Sequence, residues 1–273
     1  MDPGSDSEEL QLLAESIRTA MTAASGAKLD AALTKLGWHD MLSEIPQLAL
    51  PLVFRLLGET GAHAPVLNDV VLRAAGKAPG GVTPLPFAGD SWVQWKREDI
   101  PSSAIDGELP IHPVAEGDSL TQAGLAAGRR AVGWWLVGSS RAMLTLARQH
   151  ALDRVQFGRH ISSFQAIRHR LAETLVAIEG AEATLVTAAE VSEDPGGLAS
   201  LLAKAAAGQA ALTTAKHCQQ VLGGIGFTAE HMLHRHVKRA LVLDSLLGSA
   251  RELTLEAGKV LRAKGSAPRL AQL

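Results

Sequence analysis

A short segment between two predicted helices, Arg154-Val155-Gln156-Phe157-Gly158, contains the clearest group for binding an anion. An arginine at an interhelix turn presents a planar fork of N–H donors that matches a phosphate or a carboxylate. The glycine beside it lets the chain turn sharply. Taken alone, the spacing favours an ordinary surface turn with a solvated arginine, so an anion site is the second interpretation.

A glycine-rich run from Gln219 to Gly226 is the second candidate, with glycines at 223, 224 and 226. One glycine commonly ends a helix in the left-handed conformation. Three glycines in four positions exceed that need and would let another backbone or a pyrophosphate come close. The run follows a predicted helix and not a strand, so it is not a dinucleotide-binding fingerprint. Taken alone, helix capping is the favoured interpretation.

Histidine and tryptophan clusters give two weaker candidates. His231 and His234 are three apart on one helical face, next to His236, but no carboxylate or thiolate at a recognisable spacing completes a metal site. We therefore favour a solvated face and predict no metal.

Trp134 and Trp135 are neighbours in a predicted helix, so at most one should face the core. The other is expected at a partner interface, with a core position as the alternative.

Long helices are predicted from Asp118 onward, which makes the fold class mainly α. The start and stop signals are Ser119 with Gln122, Ser162 with Gln165, Asp194 with Pro195, Gly223 with Gly224, and Thr228, with a break between Asp244 and Gly248. Four long antiparallel helices joined by short connections form a helix bundle.

The residues before the bundle divide into two zones. Residues 1–77 have helical periodicity, and Ser5 with Glu8 is a possible capping box. Residues 78–117 hold six of the twelve prolines, and only Ser91 to Lys96 has strand character. The sequence therefore predicts a shortened N-terminal helical region (1–77), a connector with one or two short strands at most (78–117) and a C-terminal bundle (118–273).

Composition excludes several classes of protein. A net charge of −2 argues against binding nucleic acid, and 47% hydrophobic residues exclude a disordered chain. The single cysteine, Cys218, excludes a disulfide framework and is typical of a reducing cytoplasm. The acidic N-terminus is unlike a secretory signal, and no apolar run is long enough to span a membrane. We expect a cytoplasmic protein.

The order of the motifs resembles one known family. The stretch RVQFGRHISSFQAIRHRLAE and the later AKAAAGQAALTTAKHCQQVLGGIGFTAEHMLHRHVKRA resemble the C-terminal domain of acyl-CoA dehydrogenases over roughly residues 118–265. The N-terminal helices are more weakly similar to that family's N-terminal domain in shortened form.

This resemblance implies that flavin adenine dinucleotide (FAD) is shared across a subunit interface. In the family, the pyrophosphate and adenosine of one subunit's FAD lie on the neighbour's arginine turn and glycine corner. The residues implied here are Arg154 and Gln156 near the pyrophosphate, Phe164 and Gln165 near the adenosine, and Gln220, Gly223 and Gly224 in the same half-site.

The departures from the family are informative as well. About 40 residues stand where the family has a β-barrel middle domain, and the family's flavin loop is absent from them. The family's catalytic glutamate occurs at one of two positions, which correspond to Leu247 and Gly128 here. Neither residue can accept a proton, so no catalytic residue is predicted.

These features resemble the divergent subunit of α2β2 acyl-CoA dehydrogenases, such as those of bacterial steroid breakdown. The resemblance implies a non-catalytic subunit that completes the FAD site of a full-length acyl-CoA dehydrogenase partner. That partner's glutamate would remove the substrate's α-proton, and the β-hydrogen would leave as hydride. The alternatives are a homo-oligomeric acyl-CoA dehydrogenase with another base, or a flavin-free scaffold or regulatory protein.

Overall fold

A computed structural model of the chain describes residues 3–98, 109–191 and 197–267. The helices in these ranges are α1 (Pro3–Ala23), α2 (Gly26–Lys35), α3 (Trp38–Glu44), α4 (Pro46–Thr60), α5 (Val66–Ala74), α6 (Gln122–Asp153), α7 (Gln165–Glu190), α8 (Leu198–Leu222), α9 (Leu233–Ser245) and α10 (Ala250–Lys264). The strands are β1 (Pro84–Phe87), β2 (Ser91–Trp95), β3 (Ile111–Val114), β4 (Val155–Gln156) and β5 (Arg159–His160). The mainly α prediction is confirmed.

The bundle consists of α6, α7, α8 and the pair α9–α10. The predicted break in the last helix is confirmed: α9 ends at Ser245 and α10 begins at Ala250. Between them Leu247 and Gly248 both have positive φ, which a continuing right-handed helix cannot accommodate. Ser249 then caps α10 in a capping box with Glu252. The predicted end of α8 is confirmed too, because Gly223 follows Leu222 with a φ of 67°.

Three of the predicted bundle starts are wrong. Thr121, and not Ser119, caps α6, because its hydroxyl accepts a hydrogen bond from the Gly124 N–H at 3.1 Å. Ser162 lies inside a short 3₁₀ turn, and Phe164 precedes α7 without a side-chain cap. The last segment begins at Leu233 and not at Thr228, because a second 3₁₀ turn occupies residues 223–227. Asp194 and Pro195 lie outside the described residues.

The N-terminal region contributes five helices to the same core. The predicted capping box of Ser5 with Glu8 is wrong as a helix start, since α1 already begins at Pro3. Helices α4 and α6 cross closely at two glycines. A Cβ added to Gly58 would lie 2.4 Å from the Trp135 carbonyl oxygen, and one added to Gly138 would lie 2.1 Å from that of Arg55. Only glycine permits this approach.

The connector holds more strand than predicted. The Ser91–Trp95 strand is confirmed, but β1, β2 and β3 form a three-stranded antiparallel sheet where one or two strands were expected. Trp95 of this sheet stacks on Trp135 of α6 at 5.4 Å between ring centroids. Trp134 and Trp135 are both buried, so the expectation that one faces a partner is wrong. The N-terminal helices and the connector cover the second face of α6.

A buried carboxylate joins the connector to the N-terminal helices. Asp69 of α5 accepts a hydrogen bond from the Trp38 indole at 3.0 Å and from the Gly80 N–H at 2.7 Å. The Arg97 guanidinium bridges Asp69 and Asp30. A buried charge needs partners of this kind, so these contacts fix residues 80–97 on α2 and α5.

Candidate functional site

The arginine turn is a β-hairpin at one end of the bundle. Strands β4 and β5 are joined by Phe157 and Gly158, with φ of 53° and 77°. Two consecutive positive φ values are typical of a tight two-residue hairpin turn, and glycine or asparagine normally occupies them. Phe157 is a bulky residue in this conformation, and its side chain is 92% exposed. Its one ring contact within the described residues is with Phe164.

Arg154 and Gln156 lie on the same hairpin and are both exposed. The backbone of Arg154 is held at both ends, by the His150 carbonyl oxygen and the Ile161 N–H, each at 2.9 Å. Its guanidinium has no ion-pair partner among the described residues. The amide of Gln156 donates to the Val155 carbonyl oxygen at 2.6 Å. The turn therefore holds the backbone of Arg154 in place and leaves its cationic side chain at the surface.

Phe164 and Gln165 stand at the start of α7, next to the hairpin. The Phe164 ring contacts Phe157 edge-on at 6.1 Å between centroids, and the Arg159 guanidinium lies 4.2 Å above its centroid. This cation–π contact holds a second arginine beside the turn. Sequence reasoning assigned no role to Phe157, which lies inside the arginine turn, or to Arg159, which directly follows it.

Gln220, Gly223 and Gly224 follow at the end of α8. Gly223 needs its positive φ to end the helix. A Cβ added to Gly226 would lie 2.8 Å from the Gln219 carbonyl oxygen, so packing explains that glycine. Gly224 has neither constraint, because its φ is not positive and a Cβ would meet nothing within 4 Å. Space is thus left open at Gly224 on the outside of the chain.

The two clusters lie at the same end of the bundle. Helices α7 and α8 are joined by the Thr174 hydroxyl and His217 Nδ1 at 2.9 Å, so the start of α7 lies beside the end of α8. Burial, together with the nearby His231 and Arg154 charges, lowers the pKa of His150. His150 is therefore close to Arg154 of the hairpin and to His231, which precedes α9. No hydrogen bond in the described part of the chain joins Arg154 to Gln220 or Gly224.

The loop between α9 and α10 is closed by the chain itself. Leu247 is 1% exposed, and its N–H donates to the Pro86 carbonyl oxygen of β1 at 2.8 Å. Its side chain fills the space above Gly128, where an added Cβ would lie 2.7 Å from Leu247 Cδ1 and 3.0 Å from Val71 Cγ2. The Leu247 side chain and Gly128 are therefore packed directly against each other.

Two buried cations hold that loop. The Arg129 guanidinium donates to the Leu247 carbonyl oxygen at 3.2 Å, and the Lys204 ammonium donates to the Gly248 carbonyl oxygen at 2.8 Å. Burial lowers the pKa of Lys204 to about 7, and the nearby Asp244 carboxylate opposes this shift. Burial also lowers the pKa of Arg129. Sequence reasoning missed both residues, although a lysine inside the Ala-rich stretch of α8 was a signal.

The histidines do not assemble a metal site within the described residues, where no group of three or more His, Cys, Asp or Glu side chains comes together. His231 Nδ1 instead accepts a hydrogen bond from the Leu233 N–H at 3.1 Å, at the start of α9. Burial raises the pKa of the Cys218 thiol to about 12, so this thiol stays protonated and unreactive. None of the described helices combines the length and apolar character that crossing a bilayer requires.

Two of the curated relatives are acyl-CoA dehydrogenases of one organism. Acyl-CoA dehydrogenase FadE34 of Mycobacterium tuberculosis is 34% identical over 199 residues, which are 67% of this chain and 28% of that protein. Acyl-CoA dehydrogenase IpdE2 of the same organism is 39% identical over 117 residues, covering 43% of this chain and 36% of that protein. The chain thus spans only about a third of the length of these relatives.

Solved structures share the fold at low sequence identity. A variant of the Tcur3481-Tcur3483 steroid ACAD superposes with a TM-score of 0.73 at 20% identity, covering 97% of this chain and 99% of that chain. The ChsE4-ChsE5 complex from M. tuberculosis gives 0.64 at 20% identity, with 95% and 98% covered. The family described as "Acyl-CoA dehydrogenase, C-terminal domain" matches residues 115–256, more than half of the chain. The chain therefore belongs to the acyl-CoA dehydrogenase family.

Proposed function

We propose that this chain is the non-catalytic subunit of a heteromeric, FAD-dependent acyl-CoA dehydrogenase. The observation that carries the proposal is the contact between Leu247 and Gly128. These are the two positions at which the family resemblance implies a catalytic glutamate. Here they hold two groups without a titratable proton, and they are packed against each other.

The open end of the bundle is the proposed half-site for the partner's FAD. The residues present suit the diphosphate and adenosine of that cofactor. Arg154 offers an exposed guanidinium without an ion-pair partner in the described ranges, and Gly224 leaves space for close approach. Gln156, Phe164, Gln165, Gln220 and Gly223 are assigned to the same half-site. FAD supplies the two-electron acceptor for oxidation of a CoA thioester, and this chain's residues bind and orient its distal half.

The proposed partner is a full-length acyl-CoA dehydrogenase subunit in an α2β2 assembly. Support comes from the shortened connector, whose three small strands replace a complete middle domain, and from two structural neighbours that are heteromers or steroid-related by description. A steroid-derived CoA thioester is the proposed substrate and the cytoplasm the proposed location. The division into 1–77, 78–117 and 118–273 belongs to the same proposal.

Visible absorption spectra of two samples test the proposal. One sample is this chain purified alone, and the other is the chain co-expressed with a full-length acyl-CoA dehydrogenase. We expect a colourless chain and a yellow complex with about one FAD per pair of unlike subunits. A yellow, active chain alone would favour the homo-oligomeric enzyme. Absence of flavin from both samples would favour the scaffold.

The Arg154→Ala variant tests the half-site within the yellow complex. Removing a charged hydrogen bond costs about 1.5–3 kcal/mol, so FAD should be retained roughly 10- to 150-fold more weakly. Arg262→Ala is the matched control, since Arg262 is exposed on α10, which contributes no residue to the half-site. Equal FAD affinity in both variants would contradict the role assigned to Arg154.

A further inference from the structure

A groove between the outer sides of α6 and α7 forms a second, unassigned site. We infer that it binds a small phosphate monoester with a short apolar tail. The groove has a volume of about 330 Å³. This volume is at the low end of the range for small-molecule sites, roughly 300–1,000 Å³. Helix α6 lines one wall, and α7 with the 3₁₀ turn before it lines the other. The inference is independent of the proposed flavin half-site.

The walls of the groove are mainly apolar. Their apolar side chains are Leu144, Ala151, Leu152, Leu171, Ala172 and Leu175. Leu152 and Leu175 are 44% and 43% exposed, so both leave apolar surface uncovered beside the groove. Removing such surface from water is favourable. A short alkyl or aryl group in the groove would remove it.

Two arginines, one on each wall, give the groove its charge. Arg148 comes from α6 and Arg168 from α7, and no carboxylate of the described residues lines the groove with them. Neither guanidinium forms an ion pair in the part of the chain that the structure describes. Arg168 Nε donates to the Ser162 carbonyl oxygen at 3.0 Å, and Ser162 lines the groove as well. This hydrogen bond holds the Arg168 guanidinium beside the groove.

A phosphate monoester complements these groups better than another head would. It carries nearly two negative charges at neutral pH and has three acceptor oxygens. The terminal N–H groups of Arg168 remain after its Nε is used, and a guanidinium fork matches phosphate oxygens. The Ser162 hydroxyl makes no hydrogen bond among the described residues and can donate to the same head. A carboxylate would neutralise only one of the two arginines.

The groove and the flavin half-site use different sides of α7. Leu171 and Leu175 line the groove. Thr174, between them, contacts His217 of α8. Adjacent positions on a helix point about 100° apart, so α8 and the groove lie on different sides of α7. None of the residues assigned to the half-site lines the groove. A phosphate in the groove would therefore be held by other residues than the diphosphate of FAD.

Calorimetric titration of the full-length chain tests the inference with four probes. Octyl phosphate has both the head and the tail, octanoate has a singly charged head, octanol has no charge, and inorganic phosphate has no tail. We expect octyl phosphate to bind saturably with a stoichiometry of one, and octanoate to bind at least about tenfold more weakly. Octanol and inorganic phosphate should show no saturable binding in the same concentration range. Failure of octyl phosphate to bind, or equal binding of any other probe, would overturn the inference.

Two substitutions on α7 test whether the tail lies in the groove. Ala172→Phe fills the groove from an exposed position and should abolish binding of octyl phosphate. Ala183→Phe, at an exposed position outside the groove, is the control and should bind normally. Equal binding by the two variants would place the tail elsewhere and would contradict the inference.

Three arginine variants locate the phosphate head. Arg168→Ala should weaken binding of octyl phosphate at least about tenfold. Arg170→Ala, two positions further along α7 and outside the groove, should bind normally. Arg154→Ala, in the proposed half-site, should bind normally too. Loss of binding in Arg154→Ala would place the head at the hairpin, and unchanged binding in Arg168→Ala would remove its main contact, so either result would overturn the inference.

Discussion

The loop between α9 and α10 and the hairpin end of the bundle use their residues in opposite ways. In the loop, every unusual feature has a partner inside the chain: Leu247 fills the space above Gly128, and Arg129 and Lys204 hold the loop's carbonyl oxygens. At the hairpin end, Phe157 is exposed in a left-handed conformation and Gly224 borders open space. The groups of the loop are therefore satisfied by contacts within the chain, whereas the hairpin end leaves an aromatic ring exposed and a glycine beside open space.

Under the proposed function, this difference distinguishes a loss of catalysis from a general loss of function. A left-handed phenylalanine is unfavourable by roughly 1–2 kcal/mol, and an exposed ring gains nothing from burial. The chain keeps this arrangement where the proposed partner's FAD would cover it. The two positions at which the family resemblance implies a glutamate are Leu247 and Gly128, which pack against each other. A subunit that has given up its own site while serving a neighbour's would show this pattern.

Truncation of Leu247 should have the largest effect. Leu247→Ala removes a buried side chain whose terminal methyl group covers Gly128, so we expect a loss of about 2–5 kcal/mol in the free energy of unfolding. Urea denaturation measures it. Leu255→Ala, at a mostly exposed α10 position, is the control and should change stability by under about 0.5 kcal/mol. Equal losses in both variants would show that the loop is not closed as described.

The pH dependence of stability should reveal Lys204. Its folded-state pKa is lowered to about 7 by burial, so above this pH the unfolded chain binds more protons than the folded one. Stability should therefore rise with pH, by about 2 kcal/mol between pH 7 and pH 9. Above pH 9 the Cys218 thiol acts in the opposite direction, because burial raises its pKa to about 12.

Lys204→Met is the matched variant for this measurement. It preserves the length of the side chain and removes its proton, so the rise in unfolding free energy between pH 7 and pH 9 should disappear. Denaturation curves at four or five pH values suffice to compare the slopes. An unchanged slope in the variant would assign the pH dependence to other groups. It would also show that Lys204 does not titrate between pH 7 and pH 9.

The bundle could be predicted because its signals are local. The break near Asp244–Gly248 follows from glycine and an interrupted helical period, and the end of α8 follows from Gly223. The starts of the helices were harder to predict from the sequence, because several polar residues near each start could serve as the N-cap. Thr121, two residues after Ser119, accepts the capping hydrogen bond, and a 3₁₀ turn intervenes before α7.

The core positions of the two tryptophans depended on contacts distant in sequence. Burial of Trp135 requires Trp95 of β2 and Phe54 of α4, which lie 40 and 81 positions away along the chain. Helical periodicity reports only how a helix is patterned and not how many of its faces are covered. The half-site residues came from the motif resemblance, whereas the exposed Phe157 and the space at Gly224 required coordinates.

A double-mutant cycle should measure the contact between Gly128 and Leu247 directly. Gly128→Ala places a Cβ 2.7 Å from Leu247 Cδ1, so it should crowd the native chain. In the Leu247→Ala background the same change gains helix propensity and fills space. We expect Gly128→Ala to be more favourable in that background by roughly 1–2 kcal/mol, measured by urea denaturation. Additive effects would show that the two side chains do not share this space.

The glycine corner offers the smallest and most selective comparison. Gly226→Ala brings a Cβ within 2.8 Å of the Gln219 carbonyl oxygen and should destabilise the chain by about 1 kcal/mol. Gly224→Ala meets nothing within 4 Å, so its unfolding free energy should stay within about 0.5 kcal/mol of the parent.

Yet Gly224→Ala should weaken FAD retention by the co-expressed complex about tenfold, because the new methyl group occupies the space proposed for the cofactor. Flavin fluorescence after dilution measures this loss. If Gly224→Ala retained FAD as the parent does, the open space at that glycine would serve something other than the cofactor, and the hairpin end would need another partner to explain Phe157.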